Sequence, residues 1–77
     1  MNILVLGALS HLGVNFIRKY SQYFKNVIAL DKVSYCSQSK EIISRHVTKF
    51  IELDISDADL ENIVVFHSIN LILNTAA

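Results

Sequence analysis

Hydropathy along the chain alternates between short, branched apolar runs and longer stretches of helical period. Asn2-Ile-Leu-Val-Leu6 has no polar interruption and ends at Gly7, the pattern of a strand buried on both faces. From Leu12 to Phe24 the period lengthens. Leu12, Phe16, Ile17, Tyr20, Tyr23 and Phe24 fall on one stripe and Asn15, Arg18, Lys19 and Gln22 on the other, which predicts a helix. Asn26 to Leu30 predicts a second strand that stops at Asp31, followed by a polar connection through Ser34, Ser37, Gln38 and Ser39. Lys40 to His46 has room for about two helical turns around Ile42 and Ile43, and Val47 to Leu53 returns to strand composition. Ser56 and Asp59 approximate a capping box, and Leu60, Ile63, Val64 and His67 share a face behind it, predicting a helix from Asp57 to His67. Ile69 to Asn74 predicts the fourth strand.

Connections too long for hairpins between successive strands specify right-handed crossovers and a parallel sheet. The expected class is therefore α/β, a Rossmann-like, doubly wound sheet running βαβαβαβ with strand order 3-2-1-4. The first two helices belong on one face and the third on the other. Nothing marks a linker or a repeat, so residues 1–77 read as one unit, the N-terminal half of such a sheet, with no second domain.

Composition narrows the setting. Apolar residues are 52% of the chain and charged residues 18%, with no proline and two glycines, which excludes disorder and low complexity. Seventy-seven residues are about half of the ~150 that a single domain usually takes, so the chain reads as at most one domain or as part of one. Seven Lys and Arg balance seven Asp and Glu, so the net charge offers no footprint for nucleic acid or for an anionic membrane. No apolar run approaches the ~20 residues needed to span a bilayer. Cys36 is the single cysteine and no signal-peptide pattern opens the chain, so a reducing, cytoplasmic setting is expected.

The candidate chemistry lies between Gly7 and Gly13. A glycine at a strand end permits a tight turn, amides at a helix N-terminus can face a pyrophosphate, and a glycine in the first turn lets the helix pack closely. The intervening Ala8-Leu9-Ser10-His11-Leu12 is small or uncharged. Asp31 follows 18 residues after Gly13, at the end of the second strand, where a carboxylate accepts hydrogen bonds from an adenosine ribose and repels a 2′-phosphate. NAD is favoured over NADP on that ground. Either feature alone also fits an ordinary βα turn or a solvated acid; their order along the chain favours the dinucleotide. His11, His46 and His67 stand in three different elements without metal-ligand spacing. Asp54, Asp57 and Asp59 lack the glycine and distal glutamate of a calcium loop, and Asp57 and Asp59 are expected to stabilise the first turn of the third helix. Cys36 reads as a free thiol, and Tyr20 and Tyr23 as core or edge packing.

Gly7-Ala-Leu-Ser-His-Leu-Gly13 resembles the Gly-x-x-Gly-x-x-Gly loop of the extended short-chain dehydrogenase/reductases, the NAD-dependent epimerases and dehydratases. Asp31-Lys-Val-Ser-Tyr-Cys-Ser37 resembles the segment after the second strand of dTDP-glucose 4,6-dehydratases. Glu52-Leu-Asp54-Ile55 and Asn74-Thr-Ala-Ala77 are similar to further stretches of that group. The likeness covers the whole chain and the first quarter or so of such an enzyme. It implies that His11 and Leu12 sit at the pyrophosphate, Asp31, Lys32, Val33 and Ser34 around the ribose, Asp54 and Ile55 beside the adenine, and Thr75, Ala76 and Ala77 towards the nicotinamide. The dTDP-4-dehydrorhamnose reductases share the loop and the Asn-Thr-Ala-Ala stretch, and a non-catalytic nucleotide-binding or interaction module is the alternative from another class. Two positions depart from the pattern: Leu6 stands for a threonine and Ser10 for the middle glycine. Ser10→Gly is accordingly expected to strengthen dinucleotide binding by relieving steric and φ restrictions, unless the hydroxyl donates to a phosphate. The family's catalytic Tyr-x-x-x-Lys is absent, since Phe24, Val27 and Ser39 follow four residues after Tyr20, Tyr23 and Tyr35. No catalytic residue is named, and the chain is expected to have no turnover alone. A bare fourth strand is expected to invite self-association or a second polypeptide.

Overall fold

The computed structural model describes residues 1–32 and 37–76. Four strands, β1 (Asn2–Leu6), β2 (Asn26–Asp31), β3 (Lys49–Glu52) and β4 (Leu71–Asn74), form one parallel sheet in the order β3-β2-β1-β4, as expected. Helices α1 (His11–Tyr20), α2 (Ser37–Ser44) and α3 (Leu60–Phe66) provide the crossovers. Among the described residues no helix is long and apolar enough to cross a membrane.

Alternation along the central strands divides the core in two. Ile3, Val5, Val27 and Ala29 point to one face, where they meet Ala8 and Leu9 together with Ile17 from α1 and Ile43 from α2. Leu4, Leu6, Ile28 and Leu30 point to the other, where Leu60, Ile63 and Val64 of α3 are only partly buried against them. All fully sequestered strand residues therefore belong to β1 and β2, while β3 and β4 are edges. This is the physical content of an apolar run without polar interruption: only strands covered on both faces need one.

All three helices differ in their bounds from the sequence expectation, and β3 and β4 are shorter than the expected runs Val47 to Leu53 and Ile69 to Asn74. α1 gives way after Tyr20 to a 3₁₀ turn, Ser21–Tyr23, and its buried line runs through Gly13 and Ile17, leaving Leu12 65% exposed. The close approach of Gly13 to the preceding turn sets that rotation. Tyr20 and Tyr23 are likewise exposed and form an aromatic row from Phe16 along the edge of α1, with centroid spacings of 5.2 and 6.3 Å. α2 begins at Ser37, within the stretch expected as a polar connection; of its apolar pair, Ile43 is buried and Ile42 exposed. A single buried anchor gives almost no periodic signal. The third helix starts at Leu60, and its cap is Asp59, which accepts from the Asn62 amide at 3.2 Å. Ser56 instead lies in a separate 3₁₀ turn, Ile55–Asp57.

Ile17 and Tyr23 give the energetic test of this partition. Ile17→Ala is expected to cost about 2–5 kcal/mol through lost burial and the cavity left behind, and Tyr23→Ala, 70% exposed, about 0.5 kcal/mol or less. Urea unfolding of both variants checks it; comparable losses would mean that α1 is not seated on the Ile17 line.

Candidate functional site

The carboxyl ends of all four strands lie on one edge of the sheet. β1 is flanked by β2 and β4, so the chain moves from β1 to β2 and β3 on one side and then crosses back to β4 on the other. Crevices at such reversals are where open α/β sheets take ligands. Register places Leu6 beside both Leu30 and Asn74, which brings Gly7, Asp31 and Thr75 together immediately beyond the strands.

Gly7 adopts φ +72, and a Cβ built there would fall 2.7 Å from the Ala76 nitrogen and 2.8 Å from its Cα. Its conformation and its neighbour thus both require glycine. Gly13 is equally constrained, since its Cβ would lie 2.7 Å from the Gly7 oxygen and 2.8 Å from that of Ala8. The Leu30 carbonyl accepts from the amides of Gly7 (2.9 Å) and Ala8 (3.2 Å), and the Ser10 amide closes the turn on Gly7 at 2.9 Å.

Ser10 corrects the expectation attached to it. Its φ of −65 and ψ of 160 are extended backbone open to any residue, so no φ restriction exists for a glycine to relieve. The side chain is the N-cap of α1, accepting from the Gly13 amide at 3.0 Å. Its hydroxyl also donates to Thr75 Oγ1 at 3.0 Å, and the Thr75 hydroxyl lies 2.8 Å from the carbonyls of both Leu6 and Gly7. Both functions of the Ser10 hydroxyl are therefore used inside the protein. Thr75 and Ala76 serve the same turn from the β4 side, the first by hydrogen bonds and the second by backbone contact.

Asp31 is half-buried at the end of β2. One carboxylate oxygen accepts from the Leu9 amide at 2.8 Å and the other from the Lys32 amide at 2.8 Å. The Leu9 bond ties the acid to the glycine turn and was not foreseen. The signal that could have found it is the parallel register, which puts residue 31 beside residue 7; a backbone donor leaves no mark of its own in the sequence. Lys32 Nζ stands 3.8 Å from Asp54 Oδ2, linking the ends of β2 and β3. Asp54 accepts from the amide and hydroxyl of Ser56 at 2.9 and 2.8 Å. The Ser56 amide and then its hydroxyl hold the Asp54 carboxyl below the usual carboxylate range; desolvation opposes them, and the charge of Lys32 adds the smallest lowering effect. Ile55 packs on the α3 side of the core. Val33, Ser34, Cys36 and Ala77 lie outside the described residues.

Along the turn, the amides of Gly7, Ala8, Leu9, Ser10 and Gly13 all have acceptors. Those of His11 and Leu12 have none among the described residues, and they form the open, positive end of α1. The edge thus presents two free backbone donors next to a carboxylate held by two amides. It can bind an anion and a hydroxyl-bearing group side by side. Among the described residues no cluster of His, Cys, Asp or Glu has the makings of a metal site.

Removing the Ser10 hydroxyl is expected to destabilise the fold by about 1 kcal/mol in Ser10→Ala, the usual loss of a cap. Thr75→Val should be non-additive with it, coupled by about 0.5 kcal/mol or more in a double-mutant cycle read by thermal or urea unfolding. Strict additivity would show that the two hydroxyls do not share a bond. Asp54 is expected to titrate below an ordinary aspartate by NMR and to move upward in Ser56→Ala. Because its folded pKa is depressed, its contribution to stability is present above the unfolded value and is lost as pH falls through the folded one.

No family model matches the chain. Three trifunctional UDP-glucose 4,6-dehydratase/UDP-4-keto-6-deoxy-D-glucose 3,5-epimerase/UDP-4-keto-L-rhamnose-reductases of Arabidopsis thaliana are similar to it, at 38%, 34% and 36% identity over 84 aligned positions. Each alignment covers 99% of this chain and 12% of the relative, so the chain spans about an eighth of their length. The crystal structure of a UDP-glucose 4-epimerase with UDP-glucose from Thermotoga maritima superposes with a TM-score of 0.79 at 29% identity, covering 100% of this chain and 24% of that one. By sequence and by fold the chain is a homologue of nucleotide-sugar dehydratases and epimerases, which supports the epimerase/dehydratase family of extended short-chain dehydrogenase/reductases.

Proposed function

We propose that the chain is the cofactor-binding portion of an NAD-dependent nucleotide-sugar 4,6-dehydratase-like protein, holding the adenosine and pyrophosphate half of NAD. The carrying observation is the pair of acceptor-free amides of His11 and Leu12 beside the Asp31 carboxylate at the sheet's reversal point. The residues present fit the group. The α1 N-terminus faces the pyrophosphate with two donors and its positive dipole, while each Asp31 oxygen, bonded once to backbone, retains a lone pair for a ribose hydroxyl. Asp54 and Ile55 border the adenine, and Thr75 and Ala76 continue the wall towards the nicotinamide. When bound, NAD supplies the acceptor for hydride taken from C4 of the sugar and the donor that returns it at C6. The chain's own residues bind and orient; among them none acts as acid or base on the sugar.

The similarity to UDP-glucose 4,6-dehydratases favours dehydration over epimerisation alone. On the Asp31-to-Ser37 stretch the dTDP-glucose type is the finer reading. Relatives named for UDP-glucose carry the same dehydration on a different nucleotide.

Calorimetric titration with both cofactors tests the proposal. NAD is expected to bind about tenfold or more tightly than NADP, because a 2′-phosphate would face the Asp31 charge, and Asp31→Asn should narrow the gap. Equal or tighter NADP binding would mean that Lys32 governs the site. Absence of heat with either cofactor would remove the dinucleotide reading and leave a non-catalytic interaction module.

A further inference from the structure

All seven Lys and Arg of the chain lie between positions 18 and 49, and five of the seven acids lie between positions 52 and 61. The fold converts this order along the chain into an order in space. α1 and α2 cover one face of the sheet and α3, with the 3₁₀ turn before it, covers the other. On the first face Arg18, Arg45 and His46 line a groove of about 470 Å³ that also contains the exposed apolar side chain of Ile42. Neither arginine has a carboxylate within ion-pair distance among the described residues; Glu41 is the one acid in the lining. The second face presents Asp57 and Glu61, both exposed and unpaired among the described residues, beside Asp59, which caps α3. At the far end of α3, Val65 is 73% and Phe66 81% exposed.

We propose that α3 of one copy docks in the α1/α2 groove of a second copy, head to tail. Phe66 fills the groove against Ile42 and under an arginine, where a guanidinium over an aromatic ring adds attraction. Asp57 and Glu61 face the basic rim. The two surfaces are complementary in charge and both carry the exposed apolar area that a solvated face avoids. Because the patches differ, the contact is heterologous and does not close on itself in a dimer. This assignment competes with pairing along the uncharged outer edge of β4, Leu71 to Asn74, which needs no charge at all.

Light scattering with size-exclusion chromatography on the 77-residue chain separates the two. Self-association that weakens about tenfold or more between roughly 0.02 and 0.5 M salt is expected, since exposed charges are screened over that range. Arg18→Glu with Arg45→Glu in one variant, and Asp57→Lys with Glu61→Lys in another, should each be monomeric, because each sets like charge against like. Mixed in equal amounts they should associate again, alternating along the assembly, because both the original and the charge-swapped pairing set opposite signs face to face. Circular dichroism confirms that each variant is folded, and Phe66→Ala, which leaves every charge in place, should weaken association of the otherwise unaltered chain by about tenfold. A wild-type monomer at all concentrations, salt-insensitive association, or folded reversal variants that associate alone or fail to pair when mixed would each overturn the proposal.

Discussion

The site depends on one steric constraint, the contact of backbone on backbone at Gly7. The turn that ends β1 is pressed from the β4 side by Ala76 and from above by the first turn of α1, each so close that a single Cβ would collide with main-chain atoms. Backbone cannot move aside as a flexible side chain can, so this contact fixes three things together. It sets the rotation of α1, which must present Gly13 and therefore Ile17 to the sheet. It also sets the direction of the helix N-terminus and brings Thr75 within reach of the turn's carbonyls. Substitution at either glycine would disturb aim before it disturbed burial.

Hydrogen bonding then explains how the turn holds its shape with serine at position 10. A buried turn must satisfy its amides internally, and here Leu30, Gly7, Asp31 and the Ser10 hydroxyl accept from all but the two that face outward. Serine at position 10 removes nothing the backbone needs, because its dihedrals are ordinary, and it adds a cap and a bridge to β4. The bridge trades adaptability for order. A side chain committed twice inside the protein holds the helix end rigid, which lowers the cost of organising the turn when an anion arrives. The same double commitment explains why the hydroxyl is a poor candidate for a phosphate contact of its own.

Legibility in the sequence followed the strength of burial. β1 and β2 were plain because both faces are covered, and the sheet order followed from crossover handedness once the four runs were recognised. α2 was blurred because one isoleucine anchors it, and the cap of α3 was misplaced because Ser56 and Asp59 both suit a helix start. Only the competing acceptor, Asp54, decides between them by claiming the Ser56 amide and hydroxyl. Asp31 could be recognised as an acid at a strand end, and its order after the glycine turn pointed to a ribose. Its bond to Leu9 could not be recognised, since amides are the same in every residue.

Net charge hid more than it revealed. A sum of zero excludes a single-signed field and says nothing about how signs are distributed. Crossover geometry does the distributing: cations in the first two helices and acids around the third end up on opposite faces of the sheet because the third crossover turns back across β1. The basic groove is also distinct from the candidate ligand edge. Arg18 stands seven residues beyond His11 along α1, about 10 Å from the helix end that carries the open amides. A partner seated between α1 and α2 at that level therefore leaves the turn between Gly7 and Gly13 accessible, whereas a partner on the acidic face meets Asp57, which shares its 3₁₀ turn with Ile55, so the two faces are not equivalent with respect to binding at the edge.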